Sequence, residues 1–271
     1  MQRVSKLVFA IASIAAAACP AWATAQNSLQ SSCGKPLYLT FDTGHMEVAP
    51  LIAEVLNRQQ VKVTFFAANE ATKLGDGSLG KHWAPWWTAR ATEGHEFASH
   101  PYDHAYWRGD LPGAAPAFRI RPSAGASEGR ELNWDAKAYC DNIALAAQRL
   151  QDITGKKPLP LFRAPGGKTS PKLLAAAKAC GWEHVGWPPA GFLGDELPSE
   201  KFSNAALLNK ALKDIRSGDV LVAHLGIWSR KEAWAPAVLE PLIVGLKDKG
   251  FCFETLREHP AYQGWIAAHR K

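Results

Sequence analysis

An α/β fold on a largely parallel sheet is predicted by two observations. Short apolar runs of strand character alternate with helical patterns along most of the 271-residue chain, which is how β/α units read in sequence. Four polar segments, LTFDTGH (39–45), SHPYDH (99–104), FRAPGG (162–167) and VLVAHLG (220–226), sit on or at the ends of such runs. Carboxylate, imidazole and guanidinium groups therefore gather at one rim of a sheet or barrel, where β/α proteins carry their active sites.

The N-terminus stands outside the alternation. Arg3 and Lys6 precede an uncharged apolar stretch over 7–18, and Ala23-Thr24-Ala25 places small residues at cleavage spacing. Residues 1–25 read as a secretory signal peptide, too short to span a membrane, with one domain over 26–271. Lipidation of Cys19 would call for a large aliphatic residue where Ala16-Ala17-Ala18 stands. No later stretch is apolar enough for a membrane helix, so a secreted or periplasmic chain is expected.

Strands are predicted over 37–41, 62–66, 96–99, 160–162, 184–187, 220–223 and 251–254. Helices are predicted over 48–58, 83–93, 135–153, 171–179, 204–217 and 233–249, with stops at Gly155, Gly181, Gly218 and Gly250. Segments 74–85 and 105–133 fit the alternation poorly and read as long rim loops that shape a cleft. The roughly 245 residues of the mature chain suit one α/β barrel or one large domain. A monomer is expected.

Loss of Arg3 and Lys6 takes the formal charge from +6 to +4, and the remaining Lys and Arg residues are scattered among acids. That is a solvated surface, not a nucleic-acid patch. Cys33, Cys140, Cys180 and Cys252 remain, none with CxxC spacing. This argues against a structural zinc cluster and permits disulfides. Cys33 precedes the first predicted strand and Cys252 begins the last, so both fall at the end opposite the polar rim. Their pairing is expected, with Cys180 as competing partner and Cys140 free.

Among the polar residues, His100 and His104 are four apart just beyond a strand, where one turn can aim two imidazoles at one ion. Asp42 ends the run 37–41, as a buried strand-end carboxylate or a cap for the next helix. Arg163 precedes the turn Ala164-Pro165-Gly166-Gly167 and is placed to hold Asp42 bidentately. His224 ends the run 220–223 at the same rim.

Taken in order, these segments resemble the polysaccharide deacetylase family, the NodB-homology carbohydrate esterases. Thr40-Phe41-Asp42-Thr43-Gly44 is similar to the family's TFDDG, His100-Pro101-Tyr102-Asp103-His104 to H-S/T-x-x-H, Arg163 to Gly167 to R-x-P-x-G, and Val222-Ala223-His224 to L-x-H. The resemblance implies a distorted (β/α) barrel of about seven parallel strands that removes N-acetyl groups from an amino-sugar glycan such as peptidoglycan or a chitin-like oligosaccharide. It implies Asp42 as general base, His224 as general acid and Arg163 as the residue orienting Asp42. Gly166 N–H would contribute to the oxyanion hole and Val222 would touch the acetyl methyl. Tyr102 and Trp187 are assigned to substrate contact. One Zn²⁺ or another divalent metal is expected on His100 and His104, completed by Asp42, water or a nearby acid such as Glu47 or Asp103.

Two departures from the pattern stand out. Thr43 replaces the second aspartate, the family's third metal ligand; the muramic-acid de-N-acetylases, with TFDNG, also carry an uncharged residue there. The fourth motif, D-x-x-D-W, corresponds to the acid-free stretch Gly186 to Phe192, so the aspartate that would tune His224 must come from elsewhere, Asp195 being nearest. A degenerate member that binds glycan without turnover, or a hydrolase of small cyclic amides, are the alternatives.

Overall fold

The structure is a computed structural model that describes Met1 and residues 33–269; apart from Met1, the expected signal peptide lies outside the described residues. From Cys33 the chain runs β1 (Pro36–Asp42), α1 (Ala49–Arg58), β2 (Thr64–Ala67), α2 (Ala84–Thr92), β3 (Glu96–Ser99), β4 (Ala105–Asp110), β5 (Ala117–Pro122) and β6 (Leu132–Asp135). It continues through α3 (Ala136–Thr154), β7 (Leu161–Phe162), α4 (Pro171–Ala179), β8 (Glu183–His184), α5 (Asn204–Asp214), β9 (Val220–His224), α6 (Leu239–Asp248), β10 (Cys252–Phe253) and α7 (Pro260–Ala268).

Seven strands form one parallel, curled sheet, as the alternation predicts. β1 lies between β2 and β9, and the sheet continues through β3 and β7 to β8, while β10 pairs with the N-terminal end of β1. Beyond β8, Phe192 forms an isolated parallel bridge with Val222 of β9, where Leu193 N–H donates to the Val222 carbonyl at 3.3 Å.

Side chains alternate across this sheet with period two. Leu37, Leu39, Phe41, Phe65, Phe97, Leu221 and Ala223 belong to the large outer core, together with Ile52 and Leu56 of α1 and Leu242 and Leu246 of α6. Tyr38, Phe66, Ala98, Leu161, Val185 and Val220 form a second cluster on the other face. Asp42 and His224 follow the parity of Tyr38 and Val220, so both side chains emerge on the inner face at the C-terminal rim.

The segment 105–133, expected to be a loop, is instead structured. β4, β5 and β6 make a separate antiparallel sheet whose Phe118 and Ile120 pack on Tyr139 and Ile143 of α3. Its short runs separated by Gly, Pro and Ala hide the alternation. The predicted helix over 233–249 begins only at Leu239, after Pro236, whose missing N–H and fixed φ suit a helix start better than an interior. α7 was not anticipated.

Cys33 and Cys252 are disulfide-bonded with Cα atoms 5.9 Å apart, as expected from the adjacency of β1 and β10. The expectation that Cys140 stays free is overturned, because it pairs with Cys180 across a Cα distance of 6.3 Å. α4 starts beside the insertion, where Ser170 Oγ donates to Asp110. Its Ala176 and Ala177 consequently pack on Tyr139 and Ile143, which brings Cys180 level with the first turns of α3.

Candidate active site

The parallel register sets Asp42 directly beside His224, and neighbouring strands lie about 4.8 Å apart. Arg163, fully buried just beyond β7, donates from Nη1 to Asp42 Oδ1 at 2.6 Å and to Thr40 Oγ1 at 2.9 Å. The bidentate grip expected from the sequence does not form. Nε is directed instead to the Val185 carbonyl at 3.2 Å, and the guanidinium carbon lies 4.1 Å from the Phe66 ring centre and 5.3 Å from that of Trp187, which fixes the fork edge-on to Asp42.

His100 is buried, and its Nδ1 donates to the Arg163 carbonyl at 2.6 Å. That bond selects the tautomer whose Nε2 keeps a lone pair. Burial, reinforced by His104, pushes the His100 pKa well below the ordinary imidazole value. The chain then turns tightly: His104 adopts φ 47° and its N–H bonds back to Pro101 at 2.7 Å. The two rings come to 4.7 Å between centres, and His104 Nδ1 meets Ser123 Oγ. Ser123 follows β5, so the insertion steadies one of the paired histidines.

Asp195 takes the place left by the missing fourth-motif acid. Its carboxylate accepts the His224 backbone N–H at 2.7 Å and lies 3.1 Å from His224 Nδ1. Burial, the largest influence, disfavours the imidazolium, yet attraction and hydrogen bonding to Asp195, with smaller help from Asp42 and Glu196, outweigh it and raise the pKa to about 10. His224 is therefore charged at neutral pH.

Gly44 is required for a steric reason. A Cβ there would stand 2.0 Å from the Gly226 carbonyl oxygen, so the loops after β1 and β9 touch only because this side chain is absent. Gly166 adopts φ 61° on the rim turn, facing Tyr106, and Trp187 lies over Gly167. Val222 is buried on the same parity as His224. Tyr102 is not brought to this group: its ring packs against the outer core.

Glu70, on the loop after β2, escaped the sequence reading. Its Oε1 lies 3.7 Å from His104 Nδ1, and its Oε2 is buried with no hydrogen-bond partner. Burial favours its protonation, but His104, His100 and the Thr43 hydroxyl prevail and hold its pKa below the usual carboxylate range. The acids named from sequence are engaged elsewhere: Glu47 pairs with Lys73 at the surface, and Asp103 accepts from Asn142 at 2.7 Å. Among the described residues no three His, Cys, Asp or Glu side chains already stand at ligating distance of one point. The donors nonetheless fit a divalent cation, with two imidazoles, one of them of fixed tautomer, and a carboxylate with an orphaned buried oxygen.

The family profile described as "Polysaccharide deacetylase" matches residues 30–185 of the chain. This chain belongs to the polysaccharide deacetylase family. Among its relatives in that family is a chitooligosaccharide deacetylase of Azorhizobium caulinodans, 24% identical over 230 residues that cover 81% of this chain and 92% of that protein. A family 4 acetyl xylan esterase from Clostridium thermocellum, solved in complex with a cobalt ion, superposes with TM-score 0.63 at 20% identity, covering 88% of this chain and 97% of that one. A family 4 pseudoenzyme from Bacillus anthracis shares the fold at TM-score 0.59 and 17% identity, over 83% of this chain and 65% of its own.

Proposed function

We propose that this deacetylase hydrolyses N-acetyl groups of an exported amino-sugar glycan, chitin-like or peptidoglycan, with the help of a divalent metal such as Zn²⁺. The observation that carries the reading is the pair Asp42 and His224, one carboxylate held by a buried guanidinium and one imidazolium held by a buried carboxylate, side by side on neighbouring strands.

His100 and His104 would hold the cation, which would supply Lewis acidity toward the acetyl carbonyl and the attacking water. Asp42 accepts a proton from that water, and Arg163 holds the carboxylate at the angle the transfer needs. The Gly166 N–H, at the rim turn, donates to the oxyanion of the tetrahedral intermediate. His224 gives its proton to the amine as the C–N bond breaks, and Asp195 stabilises the imidazolium until then. Val222 and Trp187 wall the acetyl group and the sugar.

The test is acetate release from chitooligosaccharides, peptidoglycan and acetylated xylan, each with and without chelator. Release from an N-acetylated glycan, abolished by chelator, is expected. No acetate from any of the three would leave a glycan-binding member without turnover.

A further inference from the structure

We infer that Glu70 is the carboxylate ligand of the metal, taking over from a different loop the role that Thr43 cannot fill. This rests on the metal-dependent reading above and adds the identity of a ligand.

Position 43 holds a neutral hydroxyl, which by itself is a poor cation ligand. That hydroxyl accepts the Ala68 N–H at 3.0 Å and also interacts with the Glu70 carboxylate. The acid therefore stands near the side chain at position 43. The carboxylate lies beside the His100–His104 turn, with Oε1 3.7 Å from His104 Nδ1. His104 Nδ1 itself meets Ser123 Oγ, which leaves Nε2 as the nitrogen of that ring for a cation.

The loop is built to hold the acid there. Glu70 N–H donates to Ser78 Oγ at 2.9 Å, Ser78 N–H returns a bond to the Glu70 carbonyl at 3.0 Å, and Ser78 is fully buried. One residue earlier, Asn69 N–H donates to the Tyr102 carbonyl at 2.8 Å, which ties the Glu70 loop to the histidine turn. Such fastening leaves Oε2 buried and unpaired. A buried carboxylate oxygen without a donor costs free energy, and a cation removes that cost.

The experiment is titration of metal-stripped protein with Co²⁺ and Zn²⁺ by calorimetry, with the Co²⁺ absorption spectrum as a second readout. Wild type is expected to bind one equivalent. Glu70→Gln, isosteric and neutral, is expected to weaken binding by at least about 100-fold, beyond the 10–100-fold typical of groups that only support a ligand, and to change the spectrum. Thr43→Asp combined with Glu70→Gln returns a carboxylate from the other side and should regain most of the affinity. Circular dichroism checks folding of each variant. Wild-type affinity and spectrum in Glu70→Gln, or no metal bound by wild type, would overturn the assignment. Acetate release in the same preparations separates the two readings: full Co²⁺ binding through Glu70 with no deacetylation would sink the proposed function and leave the ligand standing.

Discussion

In the proposed mechanism Asp42 and His224 work as partners, each held by a different residue. Replacement of Asp42 by Asn keeps the shape and the bond geometry around Arg163 but removes the base. Turnover should fall by about 10²–10⁴-fold with metal still bound, and steady-state acetate release together with metal content measures both. Full activity in that variant would remove Asp42 from the mechanism. For His224 the sign follows from its raised pKa of about 10. Folding favours its proton, so the stabilisation is complete below the ordinary imidazole pKa near 6.5 and is lost as pH rises through 10. Asp195→Asn should lower that pKa and draw the alkaline limb of the rate–pH profile toward neutrality; an unmoved limb would show that another group sets it. Gly44→Ala should destabilise the fold measurably in a thermal melt, since its Cβ would meet the Gly226 carbonyl oxygen at 2.0 Å.

The elements of the main sheet were legible because each carries a clear apolar run bounded by Gly, Pro or a polar rim segment. The predicted strand over 96–99 and helix over 171–179 coincide with Glu96–Ser99 and Pro171–Ala179. The insertion was not legible, because in Ala117–Pro122 only Phe118 and Ile120 among the inward positions are large and apolar. Glu70 was missed for a related reason: it sits in no motif, and only the fold of the β2–α2 loop brings it to the histidines. The insertion has a consequence that can be measured. Ser123→Ala removes the hydroxyl partner of His104 Nδ1, so metal affinity should fall by about 10–100-fold, as for other groups that orient a ligand, with little change in melting temperature. Unaltered affinity would mean that the ring is held by its left-handed turn alone.

At the scale of the whole fold, two disulfides among the described residues tie the barrel. Cys33–Cys252 spans 219 residues of sequence and Cys140–Cys180 spans 40. In the chain-entropy account the shorter loop alone stabilises by about 4 kcal/mol. Cys140→Ser with Cys180→Ser should therefore lower the melting temperature by several degrees while the folded protein retains its turnover at 25 °C. Non-reducing peptide mapping and parallel acetate assays test this, and free thiols at Cys33, Cys140, Cys180 and Cys252 in protein purified without reductant would contradict it.

Arg163 touches both halves of the chemistry with different atoms. Its guanidinium restrains Asp42, while its main-chain carbonyl restrains His100. Asp42 and His100, the base and a cation ligand in the proposed mechanism, are thus coupled through one backbone segment, so a displacement of Arg163 reaches both. Mutational free energies at Asp42 and His100 should accordingly fail to add, with an interaction energy of about 0.5–3 kcal/mol in a double-mutant cycle, although the two side chains make no hydrogen bond to each other. A cycle that closes to zero would show that the Arg163 segment transmits nothing between them.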